Sequence, residues 1–137
     1  LPGSAGRRAG PAVARAAEGG ADRAACLAMA ESDLRTLRKL RWPSAAVFSA
    51  VIAAGIACAN ADLARVPTLL REGISTCERL QSRMYAAALK LRLAALLQGS
   101  EKSSFDVAGL DAMRAEGVVN IEAMLRMLTP GCAIVGA

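Results

Sequence analysis

Apolar side chains recur at helical spacing along most of this sequence, and no segment alternates apolar and polar residues as a half-buried strand does. One such helical stripe comprises Leu27, Ala30, Leu34 and Leu37. Aromatic residues make up only 3% of the chain, which disfavours a sandwich or barrel core built from aromatic and β-branched side chains. The sequence therefore predicts an all-α protein with no strands.

Six helices are predicted from these stripes and from residues that start and stop helices. They span about residues 22–40, 43–59, 62–80, 83–97, 103–116 and 120–130. The expected N-terminal caps are Asp22, Asp62, a Ser103–Asp106 capping box and Asn120, and the expected terminating glycines are Gly99 and Gly117. Pro67 indicates either that the third helix begins at Val66 or that its first turn is distorted.

The chain repeats itself with a period near 40 residues. Ala21-Asp22 and Ala61-Asp62 both open a helix, Leu40 and Leu80 both close one, and a second apolar helix follows each time. Two helices per unit predict stacked antiparallel hairpins of the tetratricopeptide type, that is, a fragment of an α-solenoid. A six-helix bundle without true repeats is the alternative.

The expected domain organisation is a flexible Gly/Pro/Ala-rich arm over 1–20 and a helical-repeat domain over 21–137. The third helix should bury a stripe of Leu63, Val66, Leu70, Ile74 and Cys77. The last helix, whose apolar residues are Ile121, Met124, Leu125 and Leu128, should cap the array, with Met113 and Met127 as further core residues. We also expect the chain to be the C-terminal end of a longer polypeptide that self-associates through its 22–60 face in isolation.

The chain contains no His, which removes the commonest general base and most zinc sites. Cys26, Cys58, Cys77 and Cys132 form no Cys-x-x-Cys pair, and we interpret them as buried thiols of a cytoplasmic protein. The net charge is +5, which leaves a basic bundle that binds nucleic acid as an alternative function. The cations are nevertheless spread along the chain, and no aromatic residues are interleaved with them to stack on bases.

Residues 42–61 carry no charge. This stretch is long enough to cross a bilayer, so a membrane-associated protein is a second alternative. The segment is rich in Ala, Ser and Gly, however, and a helix that is apolar all round is also typical of the centre of a packed bundle. We therefore predict that this helix is buried within the protein.

Two segments carry a resemblance to a known family. One begins Met84-Tyr85-Ala86-Ala87-Ala88, and the other is the closing Met127-Leu128-Thr129-Pro130-Gly131. Between them the likeness runs through Lys90, Arg92, Leu93, Leu96, Leu97, Gly99, Asp111-Ala112-Met113, Glu116-Gly117-Val118, Asn120 and Met124. This pattern resembles the C-terminal tetratricopeptide-like region of large bacterial signalling proteins that also contain a serine/threonine protein kinase domain and an ATPase module. The chain itself has no kinase motif and no P-loop, so the resemblance implies that any such activity lies in upstream domains.

No catalytic, cofactor-binding or metal-binding residue is predicted, because helix caps and intrahelical pairs account for the acidic residues. The expected function is instead that of a non-catalytic interaction or regulatory module. In stacked hairpins, the first helix of each pair lines the inner surface. The candidate partner-binding residues are Arg35, Arg38, Arg65, Thr68, Glu72 and Arg79. The partner would be a protein, a peptide or the upstream domains of the same polypeptide.

Overall fold

A computed structural model describes residues 23–130, and in this part of the chain all regular structure is helical. The six helices are α1 (Arg23–Lys39), α2 (Pro43–Ala59), α3 (Val66–Arg79), α4 (Arg83–Ala94), α5 (Gly99–Ala115) and α6 (Ile121–Leu128). The all-α prediction is therefore confirmed, with six helices and no strand over 23–130. The predicted arm over 1–20, the Asp22 cap and the Cys132 thiol lie outside the described residues.

Each helix packs mainly on the next one along the chain, from α1 to α5, and α6 returns to contact α4. The connections between them are short, and short connections place consecutive helices antiparallel. The result is a stack of helical hairpins in which α1 and α3 run in the same direction, with α2 behind them.

The helix α2 packs on both of its neighbours, α1 and α3. Its buried side chains belong to three clusters, two shared with α1 and one shared with α3 and α4. Residues 51–59 are buried without interruption, which accounts for the long uncharged segment as a helix packed on both sides. No helix within residues 23–130 combines the length and apolar character that crossing a bilayer requires.

Three of the connections use the same helix-ending turn, in which the residue after the C-cap adopts a left-handed conformation. These residues are Ala61 (φ 54°), Gln81 (φ 57°) and Gly117 (φ 82°). In the first turn, the N–H of Asp62 donates to the carbonyl of Ala57 at 3.0 Å. Such turns satisfy carbonyls that the end of a helix would otherwise leave unpaired.

Asp62 was expected to cap α3, and this expectation is wrong. The N-cap is Arg65, and α3 begins at Val66 because Asp62 is still part of the turn that closes α2. Pro67 then falls in the first turn of α3, where its missing N–H leaves no hydrogen bond unmade. Leu63 precedes the helix and is 60% exposed, so it does not belong to the buried stripe.

The boundary between α4 and α5 also differs from the expectation. α4 ends at Ala94, and Gly99 (φ 69°) begins α5 instead of terminating α4. Ser103 therefore lies inside α5, where its hydroxyl donates to the carbonyl of Gly99 at 3.4 Å, and it forms no capping box with Asp106. The carboxylate of Asp106 lies 3.5 Å from the ammonium of Lys102 instead.

Most apolar residues of the C-terminal helix α6 pack as expected. The side chain of Asn120 caps α6 by accepting from the N–H of Ala123 at 3.0 Å. Ile121, Met124, Leu125 and Leu128 pack against a cluster that includes the fully buried Met113. Met127, expected in the core, is 66% exposed. Beyond α6, the hydroxyl of Thr129 accepts from Nε of Arg92 at 3.0 Å, which ties the end of α6 to α4.

The left-handed turns give a stability prediction. A non-glycine residue in this conformation costs roughly 1–2 kcal/mol, and the flexibility of glycine in the unfolded chain offsets part of that cost. We expect Ala61→Gly to raise the free energy of unfolding by about 0.5–1 kcal/mol. Gly117→Ala should lower it by about 1 kcal/mol for the same reason. Urea denaturation measures both, and a less stable Ala61→Gly variant would contradict the assignment of this turn.

Candidate functional site

Two adjacent cavities lie between α1 and α3, over the surface of α2; together we call them the α1–α3 groove. The upper cavity, of about 150 Å³, is lined by Arg38, Ser49, Ala50, Ala53, Leu69, Glu72, Gly73 and Thr76. The lower cavity, of about 200 Å³, is lined by Glu31, Leu34, Arg38, Ala53, Ile56, Ala57, Asn60, Asp62, Arg65 and Leu69. Arg38, Ala53 and Leu69 line both cavities, so the two form one continuous groove.

The groove exists because its floor consists of small side chains. Ala50 and Ala53 of α2 and Gly73 of α3 line the upper cavity, and their small size leaves this space open. The polar exception on this floor is Ser49, whose Oγ is buried and has no hydrogen-bond partner within residues 23–130. A buried hydroxyl without a partner is unfavourable in the free protein, and it offers a hydrogen bond to a ligand that reaches it.

The structure brings together three of the six candidate partner-binding residues. Arg38 and Glu72 line the upper cavity, and Arg38 and Arg65 line the lower one. The other three candidates, Arg35, Thr68 and Arg79, are exposed on α1 and α3 but do not line these two cavities.

Some charged side chains of the groove already lie beside an opposite charge, and others do not. The guanidinium of Arg65 lies 3.9 Å from the carboxylate of Asp62, within the same turn of chain. Arg38 and Glu72 lie on opposite walls of the upper cavity, and neither forms an ion pair with another residue of the described chain. The upper cavity therefore presents one positive and one negative group that remain available to a ligand.

Sequence reasoning missed the parts of the groove that do not belong to a charged face. Ser49 was not singled out, although it is a polar residue in a helix that is otherwise apolar all round. Glu31 and Leu69 were missed as well, because they line the same space only when α1 and α3 both pack on α2.

Between α3 and α5, in contrast to the α1–α3 groove, charged side chains pair with each other. There the guanidinium of Arg71 pairs with the carboxylate of Glu101 at 2.8 Å and lies 5.8 Å from the ring centre of Phe105. A cavity of about 290 Å³ remains near the end of α3, but the charged groups Lys90 and Glu78 on its lining lie only 3.8 Å apart. Arg71 is thus paired with Glu101 and Lys90 with Glu78, while Arg83 also lines this cavity.

In the described part of the chain, the cysteines are buried, as the sequence predicted. Cys26, Cys58 and Cys77 are buried thiols. Burial, with a smaller contribution from the charge of Glu78, raises the pKa of the Cys77 thiol to about 11. At neutral pH this thiol is therefore protonated, which is its unreactive form. Within residues 23–130, no group of three acidic, Cys or His side chains lies close enough to hold a metal ion.

The unpartnered hydroxyl on the groove floor leads to a second prediction. Ser49→Ala removes this hydroxyl and replaces Ser by the better helix former, so we expect the free energy of unfolding to rise by about 1 kcal/mol. Ser104→Ala, at an exposed site inside α5, is the matched control that reports helix propensity alone. Chemical denaturation of both variants measures the difference, and an equal gain in both would show that the Ser49 hydroxyl carries no penalty.

Comparison with known proteins adds no identification. No family model, no curated protein and no solved structure shows significant similarity to this chain.

Proposed function

We propose that this chain is a non-catalytic helical-repeat module that binds a peptide segment of a partner protein in the α1–α3 groove. The observation that supports the proposal is the groove itself, with its floor of small residues and two charged walls that are not paired with each other. Concave sites that combine apolar side chains with a few polar groups are the usual places where proteins bind ligands, and the upper cavity combines Ala50, Ala53 and Leu69 with two charged residues.

The resemblance to the C-terminal region of bacterial kinase/ATPase signalling proteins is consistent with this proposal. A module of that kind would bind either a separate protein or an upstream domain of the same polypeptide, in a reducing compartment such as the cytoplasm. Its role would be regulatory, because it would bring a partner to the catalytic domains and carry out no reaction itself.

The test begins with selection of binding peptides from a random phage-displayed library against the folded chain. Affinities of the selected peptides are then measured by fluorescence polarisation for the wild-type protein and for Thr76→Trp, which places a large ring at the edge of the upper cavity. Thr68→Trp is the matched control, because Thr68 is exposed on the same helix and does not line the groove. Circular dichroism confirms that both variants remain helical.

We expect Thr76→Trp to lower peptide affinity at least tenfold and Thr68→Trp to change it less than twofold. Equal binding by all three proteins, or a library that yields no peptide, would contradict the proposal. Tight binding of random duplex DNA that persists at about 200 mM salt would instead favour the nucleic-acid alternative, because non-specific DNA binding weakens steeply with salt.

Self-association through the 22–60 face is a separate proposal. Met29 on α1 and Trp42 before α2 are large apolar side chains that are about half exposed, and they lie on this part of the surface. Sedimentation velocity over a range of protein concentrations tests this proposal, since a sedimentation coefficient that stays constant would contradict it.

A further inference from the structure

The upper cavity places two opposite charges on facing walls. Arg38 belongs to α1 and Glu72 to α3, and both line the same space of about 150 Å³ without forming an ion pair. The guanidinium can only donate hydrogen bonds, and the ionised carboxylate can only accept them. A ligand group that satisfies both walls must therefore accept on the α1 side and donate on the α3 side.

Charged ligand groups fit this arrangement poorly. A carboxylate or phosphate would pair with Arg38 but would be repelled by Glu72. An ammonium group would pair with Glu72 but would be repelled by Arg38. A neutral group that is both donor and acceptor avoids this conflict. It also forms charge-assisted hydrogen bonds on both sides, which are stronger than those between neutral groups.

The trans peptide unit has the required geometry. It is planar, and its C=O and N–H point in opposite directions. In an extended segment that follows the groove, each peptide unit therefore directs its carbonyl towards one wall and its N–H towards the other. A side-chain carboxamide matches less well, because its oxygen and nitrogen leave the same carbon at an angle instead of pointing in opposite directions.

We propose that the groove recognises an extended peptide by its main chain, with one peptide unit held between Arg38 and Glu72. The carbonyl of this unit accepts from the Arg38 guanidinium, and its N–H donates to the Glu72 carboxylate. This inference rests on the proposed function and adds the mode of recognition: the ligand is selected by its extended main chain more than by its own charge.

The size of the groove sets the length of the bound segment. Along α3 the upper cavity reaches Thr76 and the lower one reaches Arg65, the N-cap, eleven residues apart, which corresponds to about 16 Å along a helix. An extended chain covers this distance in about five residues. The upper cavity, of about 150 Å³, has room for one side chain of about the size of a phenyl ring.

The test uses a peptide selected as described above and a series of its variants, each with one backbone nitrogen methylated. Methylation removes the N–H donor at one position. Each variant is titrated against the wild-type protein and against Glu72→Ala, and also against Glu116→Ala as the matched control, since Glu116 is exposed at the end of α5. Arg38→Ala is compared in the same way with Arg114→Ala, because Arg38 and Arg114 both lie in the last turn of their helix.

We expect one methylated position that lowers affinity about tenfold for the wild-type protein and for Glu116→Ala, but less than about twofold for Glu72→Ala. Arg38→Ala should lower affinity for the unmodified peptide about tenfold, and Arg114→Ala should leave it unchanged. If methylation acts equally on wild type and Glu72→Ala at every position, main-chain recognition by this pair is wrong. In that case sensitivity to Thr76→Trp would still support the proposed function, so the two failures are distinguishable.

Discussion

Replacing Leu89 with Ala is expected to lower the free energy of unfolding by about 2–5 kcal/mol, which is the usual range for a fully buried leucine. Leu89 is 0% exposed and lies in the cluster of buried residues that joins α2, α3 and α4. A Cβ at Gly73 would lie only 2.9 Å from Cδ1 of Leu89, which shows how closely this side chain approaches α3. Truncation would leave a cavity where α3 and α4 meet.

Leu63→Ala is the control for this variant, because it makes the same change of side chain at a site that is 60% exposed. We expect Leu63→Ala to change stability by less than about 0.5 kcal/mol. Both variants are compared by urea denaturation monitored by circular dichroism. Similar midpoints for the two variants would mean that α3 and α4 do not share the packed core described above.

The helices that sequence reasoning located best are those with signals at both ends. Pro43 in a first turn and Asn60 at the end give α2 its observed bounds, and Asn120 caps α6 as expected. The errors arise where one residue type can occur in two different structural positions. Gly99 has the positive φ expected of a terminating glycine, but it stands at the start of α5. The left-handed conformation of Ala61 was not expected, because alanine rarely adopts it.

The candidate site was predictable only in part, for a related reason. The helical period shows which residues share a face, so Arg38, Arg65 and Glu72 could be proposed from the sequence. It does not show which helices become neighbours or how closely they approach. The groove depends on small floor residues such as Ala53 and on an unpartnered Ser49 hydroxyl, and both become visible only when α1 and α3 are packed on α2.

Close approach between helices is also the basis of the second large effect, Gly109→Ala. Gly109 is buried in the middle of α5, where α5 packs on α4. A Cβ at this position would lie 2.6 Å from Cγ of Leu91 and 3.0 Å from the backbone oxygen of Ala87. Neither atom can move freely, since one is the branch point of a buried side chain and the other belongs to a helix backbone. The added methyl group must therefore push α5 away from α4.

Overpacking of this kind costs roughly 1–3 kcal/mol, and the better helix propensity of alanine returns about 1 kcal/mol. We expect Gly109→Ala to be less stable than the wild-type protein by about 1–2 kcal/mol. Gly73→Ala is the matched control, since its Cβ would meet the far end of the Leu89 side chain, at 2.9 Å, and Cβ of Ala50, at 3.4 Å. Because a terminal methyl group can turn aside, Gly73→Ala should lose little or no stability. Thermal and urea unfolding of the two variants measure the difference, and a Gly109→Ala protein at least as stable as Gly73→Ala would show that α4 and α5 are not held at the distance described.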